Sequence, residues 1–260
     1  MSYTMAVQTP AKSTVATKDV KKDDEPPPLT FSVLEKEIDK QDAMRLVADS
    51  IAQQRQTASF SVIAHPVCFV GLVAACTAVY RQNVHRDLGT TLVMVSGLII
   101  AYLAGVRLLT ANYIRLAESL KWKEWIASPE GKEDYVLAAR YGEELIATIV
   151  LRILAPAGST KKTRSSSVKG GSGVIRAWTT KYRYRNKGIG GDMLRMAILT
   201  TRSKCGEGAQ VSFDPNHANS ARPLHEMFNR PFIKREEKAQ KALAHALESC
   251  DRGDSSFKME

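Results

Sequence analysis

Apolar and polar positions alternate with different periods along the 260-residue chain, and the changes of period mark its elements. Leu29-Thr-Phe-Ser-Val-Leu reads as a strand, and from Glu37 to Ala52 the residues Ile38, Met44, Leu46, Val47 and Ile51 share one broad side of a helix. Two later runs, Gln56 to Tyr80 and Leu88 to Val106, contain no charged side chain when His65 is counted as neutral. Tyr135 to Arg140 and Leu145 to Leu154, on either side of Tyr141-Gly142-Glu143-Glu144, read as a β-hairpin. A strand is expected from Val174 to Tyr184, a helix from Asp192 to Lys204, and a short strand over Gln210 to Phe213, ended by Asp214-Pro215-Asn216. Ser220 to Phe228 suggests a short helix. Ile233 to Cys250, with Ala239, Leu243, Ala244 and Leu247, is amphipathic and packs either on the domain or on a partner.

A stretch of about 20 apolar residues spans the hydrocarbon core of a bilayer, and both uncharged runs qualify. They predict a transmembrane hairpin over 57–110, with spans at about 59–80 and 88–108, joined by Arg81 to Asp87. His65-Pro66 starts or kinks the first span. Tyr80 and Tyr102 suit the interface, and Arg107 can snorkel to it. The competing reading is a pair of helices buried in a large core. The outer flanks carry Arg45, Arg55, Arg107, Arg115, Lys121 and Lys123, against Arg81 and Arg86 in the loop. The positive-inside rule therefore places the folded part and both termini in the cytosol. Met1 to Glu25 is polar and lacks the apolar centre of a signal peptide.

Composition adds less. Residues 1–28 read as a disordered tail ending in Pro26-Pro27-Pro28, and 157–173 as a flexible basic insert between strands. A formal charge of +10 raises nucleic acid as a partner, but no helix-turn-helix, zinc spacing or aromatic ribonucleoprotein signature accompanies it. No nucleic acid is expected; basic residues beside a membrane meet anionic lipid. Cys68, Cys76, Cys205 and Cys250 show neither metal-ligand nor disulfide spacing, so no metal is expected.

The most specific chemistry lies in Tyr184-Arg185-Asn186-Lys187-Gly188-Ile189-Gly190-Gly191. A glycine-rich turn at a helix N-terminus leaves N–H groups pointing outward in front of the positive end of the helix dipole, which is a phosphate cradle. The dinucleotide fingerprint needs a third glycine where Met193 stands, and the Walker loop needs Gly-Lys-Ser/Thr at a longer spacing. The plainer alternative is that the glycines serve only the turn. Arg185-x-x-Gly188-x-Gly190, with Tyr184 before it and Met193-Leu194 after it, resembles motif A of the GNAT superfamily of acyl-CoA-dependent N-acetyltransferases. The resemblance spans roughly 29–56 and 130–235 and weakens after 210, where Ala221 and Leu224 fit the family pattern. His225 stands at the place of its acid tyrosine, and Asn229-Arg230 replaces Gly-Phe.

That resemblance implies a mixed α/β GNAT-like fold, a central sheet flanked by helices, with the transmembrane hairpin inserted after the first helix. The first strand and helix would be 29–56, the remainder of the domain 111–235, and a C-terminal helix and tail 236–260. It implies acetyl-CoA as co-substrate, held by Arg185, Asn186, Lys187, Gly188, Ile189, Gly190 and Gly191, with the thioester carbonyl on a main-chain N–H between Trp178 and Tyr182. It offers His225, Tyr182 and Tyr184 as candidate acids, whereas the strand Val174 to Tyr184 has no carboxylate to act as base, and Glu143 and Glu144 read as solvated turn residues. Two functions stay open. One is an integral-membrane N-acetyltransferase acting on an amine at the cytosolic face, in the endoplasmic reticulum. The other is a GNAT-like chaperone without turnover whose partner is a client membrane protein; the layout, and the stretch Ala48-Asp-Ser-Ile-Ala-Gln-Gln-Arg, are loosely similar to the fungal endoplasmic-reticulum factor that assists export of phosphate transporters.

Overall fold

The computed structural model describes residues 27–83, 85, 87–128, 132–155 and 170–253; the expected tail and most of the expected basic insert lie outside them. Five strands, β1 (Leu29–Val33), β2 (Tyr135–Tyr141), β3 (Glu144–Leu154), β4 (Ser172–Thr180) and β5 (Val211–Phe213), form one mixed sheet in that order. The first four are antiparallel to their neighbours, and β5 is parallel to β4. The chain is an α/β fold: a five-stranded mixed sheet flanked by helices.

Strand periodicity decides which helix covers which face. Val136 and Ala138 of β2 point to α1 (Glu37–Ile63), where they meet Met44, Val47 and Ile51. Leu137 and Ala139 point to the opposite face, against Met193, Leu194 and Ala197 of α6 (Ile189–Cys205). The amphipathic tail is a helix, here called α7 (Arg230–Asp251), and its Leu243 and Ala246 join the α6 core. It therefore packs on the domain. The hairpin turn forms as expected, with Gly142 at φ 61°, a left-handed conformation natural to glycine.

Two bulges bend the inner strands. Val150 pairs with Ala177 while Leu151 pairs with Ile175, so Arg176 is an extra residue on β4. Arg176 and Ala177 consequently both face α1. Arg176 stacks on Trp125, 4.1 Å from the ring centre, and shares the buried Asp134 carboxylate with Arg152 at 2.7 Å each. The same two guanidinium groups donate to Trp125 O and Ala127 O, which fastens the short helix α5 (Trp122–Ile126) to the sheet; neither it nor α4 (Asn112–Glu118), which packs on α1, was revealed by sequence periodicity.

Several expectations are corrected. The first helix runs on to Ile63, because nothing between Ala52 and His65 breaks a helix. The first apolar run is then divided: α1 stops at Ile63, α2 (Pro66–Asn83) starts at Pro66, and the two axes are bent by 58°. Only α3 (Leu88–Leu109), continuous with α4 as a stretch of 31 residues, is by itself long and apolar enough to cross a membrane among the described residues; the bent α1–α2 pair supplies a second span only if read as one. Large apolar side chains on both helices face outward, Val70 at 63 % and Leu92 at 71 % exposure among them. The β4 strand ends at Thr180, and Tyr182–Tyr184 is a 3₁₀ turn. The expected helix 220–228 is irregular up to a 3₁₀ turn at Glu226–Phe228, since Pro223 lacks an N–H and disfavours helical geometry at Arg222.

Candidate functional site

The parallel pairing of β4 and β5 lasts three residues, Gly173–Val211 to Ile175–Phe213, after which β4 continues alone to Thr180. The sheet splays there, and the gap opens into a cavity of about 530 Å³, of the size that holds a small molecule. Its walls come from the end of β4, the loop 184–190, the turn after β5 and one face of α7, with Gln54 contributed by α1.

Main-chain directions on β4 follow from its hydrogen bonds. The Arg176 carbonyl accepts from the Ala218 N–H (2.8 Å), toward the splay, whereas the Lys181 N–H donates to Ile146 O (2.8 Å), toward β3. Alternation between them turns the main-chain groups of Trp178 and Thr180 into the cavity, and Thr180 O there accepts from Arg185 Nε (3.0 Å). The Trp178 N–H, with no β5 residue opposite it, has no acceptor among the described residues.

The glycine loop closes the outer end. Gly188, at φ 86°, is the N-cap of α6, and its carbonyl accepts from Gly191 N–H at 2.8 Å and Asp192 N–H at 3.3 Å. Asn186 also takes a left-handed φ of 61°, which asparagine tolerates better than most residues. Among the described residues, the N–H groups of Asn186 to Gly190 have no acceptor. Beside them the Trp178 indole N–H is buried without a partner, 3.7 Å from where a Cβ on Gly190 would stand. An orphaned buried donor next to a run of free amides suits an anion, so these groups fit a pyrophosphate. The glycines divide the work differently from expectation, however. Gly188 is required by its φ, Gly190 because a Cβ would come within 3.1 Å of the Trp178 ring, and Gly191 by no neighbour at all.

Positive charge reaches the cavity from α7. Arg235 and Lys238 line it, and neither forms an ion pair among the described residues. Loss of solvation, then the nearby Arg185 charge, hold Arg235 below the usual arginine range, although much of its side chain is open to solvent. Arg185 itself is directed away from the loop amides, with Nη2 donating to Gln53 Oε1 at 2.7 Å and the guanidinium 5.5 Å from the Tyr182 ring centre. It anchors the loop to α1. The Lys187 ammonium sits 5.5 Å over the Tyr184 ring, and the Ile189 side chain is buried in the α6 core.

The candidate acids fare worse. Tyr182 is 78 % exposed and lies outside the cavity lining. Tyr184 lines the cavity, but its hydroxyl donates to Glu144 Oε2 at 2.8 Å, a bond that raises the phenol above its ordinary range. The same carboxylate holds Lys181 at 2.8 Å, and these two hydrogen bonds, Lys181 first, keep Glu144 below the usual carboxylate range. His225 is exposed and outside the lining: its Nδ1 accepts from Met227 N–H (3.4 Å) and caps the 3₁₀ turn. That turn docks on the α1–α2 elbow, where Ser61 Oγ donates to Phe228 O (2.7 Å) and the Phe228 ring meets His65 edge-on at 5.1 Å.

Sequence reasoning passed over His217, which does line the cavity. Its Nδ1 lies 3.1 Å from Asp214 O; a carbonyl only accepts, so Nδ1 is the donor of that contact. The neighbouring Asn219 is tied to α1 through Gln54 Nε2 at 3.0 Å and Ser50 Oγ at 3.2 Å, which fixes this turn against the cavity wall.

No protein-family model and no curated protein matches the chain. Among solved structures, an integron cassette protein from the mobile metagenome of V. cholerae is similar at 13 % identity and a TM-score of 0.33, over 81 % of this chain and 83 % of that one. Similarity at that level leaves the site to be read from its own geometry.

Proposed function

We propose that the chain is a membrane-anchored, GNAT-like N-acetyltransferase that binds acetyl-CoA in the β4/β5 splay and acetylates an amine at the cytosolic face of the endoplasmic reticulum. The observation that carries this reading is the convergence on one cavity of Asn186 and Gly190 from the loop of free amides, the unpartnered Trp178 side chain, and the α7 cations Arg235 and Lys238, which form no ion pair among the described residues. The loop amides, with the indole, would hold the pyrophosphate, and Arg235 and Lys238 would balance its charge. The Trp178 main-chain N–H, further into the splay, would face the thioester carbonyl oxygen and stabilise the negative charge that develops on it.

His217 is the base this geometry favours. Its Nε2 takes a proton as the amine nitrogen forms its bond to the acetyl carbon; the carbon–sulfur bond then breaks, the sulfur takes a proton from water to leave as the thiol, and His217 returns its own proton to water. Asp214 O holds the ring in the required tautomer. Turnover by the His217→Gln variant is expected to fall roughly 100-fold or more, with acetyl-CoA affinity unchanged and the basic limb of the pH profile retained. Unchanged turnover would return His217 to a structural role.

The chaperone reading keeps one supporting observation: Tyr182, Tyr184 and His225, the three groups that the resemblance offered as acids, are exposed, engaged with Glu144 or outside the cavity. On that reading the outward apolar faces of α2 and α3 meet a client membrane protein.

A further inference from the structure

A second groove, of about 880 Å³, runs between α1, the last turns of α3 and α4, on the far side of α1 from the splay. Its floor is apolar, built from Ile63, Ile100, Leu103 and Ala104, and Ile100 and Leu103 are 66 % and 46 % exposed. At its upper end stand Arg55 and Arg107, one from each wall. Arg55 Nη2 donates to Arg107 O at 3.5 Å, and neither guanidinium has a carboxylate partner among the described residues. Two unpaired cations above an exposed apolar trough have the polarity of a lipid turned inside out.

We propose that this groove is a binding site for one anionic glycerophospholipid of the bilayer, with an acyl chain on the Ile100–Leu103 floor and the phosphate between Arg55 and Arg107. The proposal rests on reading α3 as a membrane span, since the floor is continuous with that helix and the two arginines mark its cytosolic end. Charge favours an anionic headgroup: the ionised lining residues are Arg55, Arg107 and Asp49, a net charge of +1. Asp49 lies six positions before Arg55 on α1, about 9 Å further from the apolar floor at 1.5 Å per residue, beyond the phosphate position. Gln53 lines the same groove and accepts from Arg185, so a lipid seated there touches the α1 turn that anchors the loop of the splay cavity.

The full chain, reconstituted in phosphatidylcholine nanodiscs, is illuminated with a small fraction of photoactivatable phosphatidylglycerol, and in parallel with photoactivatable phosphatidylcholine. Labelled peptides are then mapped. Phosphatidylglycerol is expected to label the 52–63 and 99–114 segments several-fold more than phosphatidylcholine does. The R55Q/R107Q variant loses most of that excess, as removal of two cations near an anionic headgroup requires, and the double lysine variant retains most of it. Unlabelled phosphatidylglycerol, but not phosphatidylcholine, suppresses labelling of the wild type, a readout independent of how the variants fold. Equal labelling by both lipids, indifferent to the arginines, overturns the site and leaves an ordinary lipid-facing surface. Absence of label along Leu88–Leu109 from either lipid overturns the span and this proposal with it.

Discussion

The splay end and the hairpin end of this molecule solve opposite problems of exposure. At the splay, apolar side chains are buried and main-chain amides are left free: Ile189, Met193 and Leu194 enter the core, while Asn186 and Gly190, whose N–H groups have no acceptor among the described residues, line a cavity. In the hairpin, helical hydrogen bonds satisfy the backbone and apolar side chains such as Phe69, Val93 and Ile99 face outward. Free amides suit an anionic ligand in water; satisfied amides beneath an apolar surface suit lipid. The single helix α1 joins the two regimes, with Met44 and Val47 in the sheet core, Gln54 at the splay cavity and Ile63 at the lipid groove.

A charge near the middle of α3 would test the hairpin side of this contrast most severely. Ile99→Arg is expected to weaken insertion by about 3–4 kcal/mol, read as loss of the chain from the carbonate-resistant membrane fraction, while the sheet domain keeps its fold. Retention in the membrane with a destabilised sheet would mean that α3 belongs to the core after all. Smaller effects distinguish the loop glycines. Gly190→Ala should cost roughly 1–2 kcal/mol, because the Trp178 ring blocks its Cβ and must shift. Trp178→Phe in the same chain should recover part of that loss. Gly191→Ala meets no neighbour and should be neutral or stabilising by up to about 1 kcal/mol, as expected for glycine replaced by alanine within a helix. Equal losses at both positions, measured by chemical denaturation, would contradict the division of roles among the glycines.

Local chemistry made much of this legible. The hairpin at Gly142 and the loop around Gly188 are written in residues that tolerate left-handed backbone, so their positions survive without knowledge of the tertiary fold. The apolar stripe on α1 likewise marked the side of that helix that meets the sheet. What escaped depends on distant partners. His217 sits in a turn whose Asp-Pro-Asn lead reads as simple punctuation, and only the tie from Gln54 and Ser50 on α1 to Asn219 brings it to the cavity wall. Arg185 carried the motif but was recruited by Gln53, more than a hundred residues earlier in the chain. His225 occupied the expected spacing, yet Pro223 prevents the helix that would have presented it, and Phe228 draws the segment to the α1–α2 elbow. The cations of α7, Arg235 and Lys238, lay at or past the end of the family resemblance and had no sequence signal besides helical periodicity.

Calorimetric titration of acetyl-CoA into the detergent-solubilised wild type and its R235Q/K238Q variant tests the central claim most directly. The wild type is expected to bind, and the variant to bind roughly tenfold or more weakly, as the loss of charge-assisted contacts to phosphate requires, with its melting temperature unchanged. A folded wild type that takes up no acetyl-CoA at millimolar concentration would contradict the account of the splay cavity as a coenzyme site.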